Sequence, residues 1–145
     1  MEAQSSEAGF TPRVPAADAY SRRASEYVES VGKIEHAEAE DREYLLAWAR
    51  GIRGPVLDVG CGGGLFLHQM TKTGARVAGL DFSLDAATIA WRSQGVPAVC
   101  ASLAHAPFAR GSCSVVTMFH VLEHLYEPQT YLESAYELLE DEGRL

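Results

Sequence analysis

Val56-Leu57-Asp58-Val59-Gly60-Cys61-Gly62-Gly63-Gly64 constrains this chain more than any other stretch. A short apolar run of this kind suits a parallel strand buried on both faces. Gly60, Gly62 and Gly64 then let the backbone turn sharply and approach a ligand without Cβ interference. Residues 65–72 follow as a predicted helix, with Gly74 just past its end. Strand, glycine loop and helix in that order form the corner where open α/β sheets bind nucleotide-like ligands.

The glycine spacing narrows the ligand. Dinucleotide loops carry G-x-G-x-x-G/A, but the third position here is Leu65 counted from Gly60 and Gly62, and Leu67 counted from Gly62 and Gly64. The Walker pattern fails as well, because no Gly-Lys-Ser/Thr follows. Asp58 stands two residues before Gly60, where a carboxylate suits an ammonium group and repels a pyrophosphate. A second apolar strand within 75–83 ends at Asp81, close to the spacing of about 20 residues at which an acid reaches ribose hydroxyls. Ser83 is a good N-cap for a helix over 84–94, which Gly95 ends. An ordinary strand-to-helix turn and a solvated helix-entry acid are the plain alternatives for the glycines and for Asp81.

A third strand is predicted over 97–100, before Ala101-Ser102-Leu103, and a fourth over 114–119, rich in β-branched and aromatic residues. LDVGCGGG, GLDFS, the segment Leu103 to Phe108 and the segment Val115 to Leu125 occur in that order. In order and spacing they resemble the class I S-adenosylmethionine-dependent methyltransferases, in particular the small-molecule branch of the ubiquinone- and menaquinone-biosynthesis type. The likeness runs from about Tyr20 to Leu145.

This resemblance implies a Rossmann-like α/β fold, a three-layer sandwich with a mostly parallel sheet in the order 3-2-1-4-5-7-6. It implies S-adenosyl-L-methionine as cofactor, with the loop at Gly60, Cys61 and Gly62 cradling the methionine moiety. Asp58 would help to place the amino group, Asp81 would take the ribose, and Phe82 would pack on the adenine. Ser102 stands where many relatives carry an aspartate for the adenine amino group, and the Leu103 backbone N–H would meet a ring nitrogen. Phe119 would line the cofactor, with core packing as its equal alternative. His120 would face the acceptor as a general base or an orienting group. The implied reaction is in-line transfer of a methyl group to a small molecule, with no metal.

His120-Val121-Leu122-Glu123-His124 also matches the H-x-x-E-H zinc motif. That chemistry needs both histidines on one helix face and a third ligand downstream. This segment leaves a strand, though Glu127, Glu133 and Glu137 follow it. The four concordant cofactor motifs favour the methyltransferase reading, so no metal is expected. A structural, hydrogen-bonded role is the expectation for His124.

The chain has 145 residues and a net charge of −8, with Arg22-Arg23 its only basic doublet. Clustered Lys/Arg for phosphate contacts is missing, so no nucleic-acid partner is expected. No apolar stretch reaches membrane-spanning length, and three cysteines without metal spacing suit reduced thiols and a cytoplasmic location. Residues 1–17 are expected to be a disordered tail, and 18–145 one cofactor-binding domain opening with helices over 18–31 and 41–50. Four of the family's seven strands are counted, then a helix over 128–141, with Gly143-Arg144-Leu145 as the first residues of a fifth strand. The expectation is therefore the N-terminal portion of a methyltransferase, with the fourth strand as an unpaired edge. A non-catalytic module that keeps the cofactor fold is the alternative. An NAD-dependent oxidoreductase is disfavoured by the failed third glycine.

Overall fold

The computed structural model describes residues 39–145, so the tail over 1–17 and the helix over 18–31 lie outside the described residues. Helix α1 (Ala39–Ala49) leads into strand β1 (Pro55–Val59), helix α2 (Leu65–Thr71) and strand β2 (Arg76–Asp81). Helix α3 (Leu84–Gln94) and strand β3 (Ala98–Cys100) come next. Strand β4 (Cys113–Thr117), helix α4 (Pro128–Leu138) and strand β5 (Leu139–Arg144) complete the order. All strand pairs are parallel, in the order β3-β2-β1-β4-β5.

Alternation along β1 splits the core into two layers. Leu57 and Val59 pack with Leu80, Leu103, Val116, Ala135 and Leu138, which belongs to α4's side of the sheet. Val56 packs with Ala49, Met70 and Val115, joining α1 and α2 to the other side. Burial on both faces is why β1 reads as a nearly continuous apolar run. The chain moves outward from β1 to β2 and β3, then crosses back to β4 on the other side of β1. The reversal falls at the carboxyl ends of β1 and β4, the usual ligand position in such sheets.

Local chemistry fixes several boundaries. Ser83 caps α3, its Oγ accepting the Ala86 N–H at 3.3 Å, and Gly95 ends that helix with φ +66°. Gly64 (φ +79°) opens α2, and a Cβ there would lie 2.8 Å from the Ala90 Cβ and 3.2 Å from Val96 Cγ2. Its lack of a side chain lets the start of α2 sit against α3.

Three expectations are corrected. The final helix ends at Leu138 rather than at 141, and residues 139–144 form β5 alongside β4. Hence β4 is not an edge, and the described sheet has five strands rather than four. Backbone pairing with β4 outweighs the helical preference of the Leu-Glu-Asp-Glu run, at the cost of an irregular register between Cys113 and Val115. The fourth strand also stops at Thr117, not 119, because the chain bends away to a left-handed His120 (φ 53°).

Candidate functional site

Asp58, one residue before the end of β1, and Asp81, the last residue of β2, lie at the carboxyl ends of adjacent strands and are both buried, at 4% and 7% exposure. The glycine loop links them. Gly60 N–H and Cys61 N–H both donate to the Leu80 carbonyl, at 2.7 and 3.2 Å. Gly62 N–H donates to Asp81 Oδ2 at 2.9 Å, and Ser83 N–H to Asp81 Oδ1 at 2.8 Å. Thr117, paired with Asp58 across β1 and β4, donates its hydroxyl to Asp58 Oδ1 at 2.6 Å. Neither carboxylate meets a cation: among the described residues the ion pairs are Arg110–Glu137 and His120–Glu123.

Burial without a counterion shifts both acids. The Asp58 carboxyl is pushed up to about 7 by burial, against the Thr117 hydrogen bond, with the Asp81 charge adding to the rise. Asp81 is also raised by burial, and the N–H groups of Ser83, Gly62 and Phe82 hold it partly down. The Cys61 thiol is driven up by burial and by both carboxylates, which leaves it protonated and unsuited to nucleophilic attack. In the unfolded chain Asp58 loses its proton near pH 3.8, whereas in the fold it keeps it to about 7. Stability from this group is therefore complete below pH 4 and falls as pH rises from 4 to 7, by on the order of a few kcal/mol. The chain without ligand is expected to unfold at lower urea at pH 7.5 than at pH 5, and Asp58→Asn to flatten that difference. An equal slope in the variant would refute the assignment.

The space beside Gly62 is open. Gly62 has φ +52°, and a Cβ built on it meets nothing within 4 Å. Gly60 (φ +74°) lies under Val121, whose Cγ2 would be 2.5 Å from an added Cβ, so the segment after β4 folds over the loop. Phe119 is 44% exposed and meets Phe66 of α2 edge to face, with ring centroids 4.9 Å apart. Phe82 is half exposed at the end of β2.

The remaining candidates are more dispersed. Ser102 Oγ lies 3.3 Å from the Tyr131 hydroxyl of α4, while the Leu103 side chain is in the core. His120 is exposed, with Nδ1 3.3 Å from Glu123 Oε1. Glu123 is held below the usual carboxylate range, first by its own backbone N–H and also by His120 and His124. The H-x-x-E-H segment passes from the left-handed His120 into a short 3-10 turn at Leu122–His124, not along one helix. Among the described residues no group of three or more His, Cys, Asp or Glu is arranged to hold a metal.

Sequence reasoning missed Thr117 and Phe66. A buried hydroxyl at the end of a strand beside the acid strand was the signal for Thr117; nothing local pointed to Phe66. A separate cleft of about 230 Å³, lined in part by Trp48, Arg53, Ser114, Glu140 and Arg144, contains none of the loop residues.

Comparison with known proteins bears on the family and the fold. The family described as a methyltransferase domain matches residues 57–145. The ubiquinone biosynthesis O-methyltransferase of Shewanella halifaxensis is 36% identical over 107 residues, covering 69% of this chain and 45% of its own. That of Pectobacterium carotovorum is 33% identical over 109 residues, covering 70% and 46%. The chain thus spans less than half the length of these curated relatives. Among solved structures, a putative S-adenosyl-L-methionine-dependent methyltransferase from Methanococcus maripaludis superposes with a TM-score of 0.70 at 18% identity, over 85% of this chain and 60% of that one. The [4+2]-cyclase SpnF gives 0.72 at 19% identity, over 88% and 56%. At such identities the likeness is one of fold.

Proposed function

Because this chain belongs to the methyltransferase domain family, whose cofactor is S-adenosyl-L-methionine, we propose that it transfers a methyl group to a small-molecule acceptor. The observation that carries this reading is the bond from Gly62 N–H to the Asp81 carboxylate. It ties the glycine loop to the acid at ribose spacing, and the space beside Gly62 is open. In this reading Gly60, Cys61 and Gly62 border the methionine moiety, and Asp58 meets its ammonium group. Asp81 accepts from the ribose hydroxyls with the lone pairs its two backbone donors leave open. Phe82, Ser102 and Leu103 border the adenine, and Phe119 lines the cofactor.

The cofactor supplies a methyl group on a positively charged sulfur. The chain's contribution is then alignment and exclusion of water. His120 is the group proposed to take the acceptor's proton, with Glu123 at its Nδ1 leaving Nε2 for that role. Since the curated relatives are named O-methyltransferases of ubiquinone biosynthesis, a phenolic hydroxyl is the acceptor class proposed. The net charge of −8 supports an acceptor other than nucleic acid. Three free cysteines support a reducing, cytoplasmic setting. No described helix is long and apolar enough to cross a membrane.

Calorimetric titration with S-adenosylhomocysteine and with NADH tests the cofactor, and methyl transfer from labelled S-adenosylmethionine to a catechol tests the reaction. Binding of S-adenosylhomocysteine with labelled product is the expected result. Binding without transfer would reduce the chain to a cofactor-binding module, and binding of NADH alone would overturn the reading.

A further inference from the structure

We propose that Thr117 is a positioning residue for cofactor uptake: its hydroxyl holds Asp58 beside the glycine loop, so that this buried carboxyl releases its proton to solvent when a cationic ligand enters. The proposal rests on the S-adenosylmethionine reading above for the identity of that ligand. The geometry behind it is a buried aspartate, 4% exposed, with one side-chain donor at 2.6 Å and no basic partner among the described residues.

Among the described residues, the ionisable groups that act on Asp58 disfavour a charge there. Asp81 at the end of β2 and Cys61 in the loop are the titratable groups coupled to it, and both are acids. On α2, His68 faces the Gln94 carbonyl and Lys72 the Gln69 side chain. On α1, Glu40 and Glu43 are exposed. Among the described residues, the stabilisation of an ionised Asp58 is therefore left to Thr117 and to a cation that enters from outside. Burial keeps the empty carboxyl protonated, as its elevation to about 7 reflects, and the Thr117 hydroxyl opposes that elevation. A ligand bearing ammonium and sulfonium charges reverses the balance, because a charge pair in this low-dielectric site is worth far more than in water. Uptake of the cofactor then trades a proton for a cation.

The test combines two readouts on the 145-residue chain. Carbon-13 NMR of the carboxyl groups follows Asp58 in the chain without ligand, for wild type, Thr117→Val and Thr117→Ser. Loss of the hydroxyl is expected to move the Asp58 midpoint upward by about one pH unit, the size of one hydrogen bond to a charged group. Serine is expected to restore the wild-type value. Calorimetry of S-adenosylmethionine in two buffers of different ionisation enthalpy then counts protons. Wild type is expected to release a substantial fraction of one proton near pH 7. Thr117→Val is expected to bind about tenfold more weakly at pH 7 and to recover by pH 9. Thr117→Ala supplies the same deletion if the valine variant does not fold.

An unmoved Asp58 midpoint overturns the proposal, as does an affinity loss equal at all pH values, which marks a merely structural threonine. Binding by wild type without proton release also overturns it. If wild type binds neither S-adenosylmethionine nor its demethylated product, the cofactor reading fails, and the NMR midpoints still decide whether Thr117 governs Asp58.

Discussion

Asp81→Ala is expected to weaken S-adenosylmethionine binding by about two orders of magnitude while leaving the sheet folded. Hydrogen bonds to a charged acceptor are each worth about 1.5–3 kcal/mol, so losing two ribose bonds of that kind costs on the order of a hundredfold. The substitution also releases Gly62 N–H and Ser83 N–H, which both donate to this carboxylate. Loop order is therefore lost together with the proposed ribose acceptor. Removal of a buried carboxylate relieves a desolvation cost, the same cost that raises its proton affinity, and this offsets part of the structural damage. Asp81→Asn keeps one acceptor oxygen and is expected to fall between alanine and wild type. Isothermal calorimetry with far-UV circular dichroism checks both; a change of less than threefold in the folded alanine variant would remove Asp81 from the cofactor site.

Gly64→Ala should produce a much larger stability loss than the same methyl group added at Gly62. Its positive φ of +79° costs an L-residue about 1–2 kcal/mol. The new Cβ also meets Ala90 Cβ at 2.8 Å, Ala90 Cα at 3.1 Å and Val96 Cγ2 at 3.2 Å, and overpacking of this kind adds about 1–3 kcal/mol. Part of that contact is with helix backbone, which cannot swing aside, so α2 and α3 must separate. Gly62→Ala carries a similar backbone cost but no clash, since nothing lies within 4 Å of the added atom. Urea unfolding should therefore show Gly64→Ala as the much less stable variant. Calorimetry should show Gly62→Ala as the folded variant with impaired cofactor binding. The reverse ranking in stability would refute the separation of a packing glycine from a ligand-facing one.

The parts of the structure that were legible in the sequence are those fixed by short-range chemistry. Asp58, Asp81 and the glycines between them lie at strand ends and turns, where residue type and spacing report the backbone directly. Ser83 and Gly95 marked both ends of α3 for the same reason. Contacts spanning the sheet were not legible in that way. Thr117 meets Asp58 across 59 residues of chain, and only the pairing of β1 with β4 brings them together. The extent of β4 was overread because Met118 and Phe119 suit a strand, yet the left-handed turn at His120 takes them out of the ladder. The end of α4 was overread because Leu-Glu-Asp-Glu suits a helix, yet the open side of β4 recruits it as a strand. In both places tertiary pairing decided what local preference could not.

The three successive amides of Gly60, Cys61 and Gly62 point inward, to Leu80 and Asp81. Loops that grip phosphate do the opposite: they present consecutive N–H groups outward as an anion nest. Here those donors are spent on the neighbouring strand, and what borders the loop is a carbonyl and two carboxyls. The corner is thus electrically inverted relative to a dinucleotide loop of the same topology. Converting it to a phosphate-binding site would take more than moving a glycine: the end of β2 would have to surrender its acceptors as well.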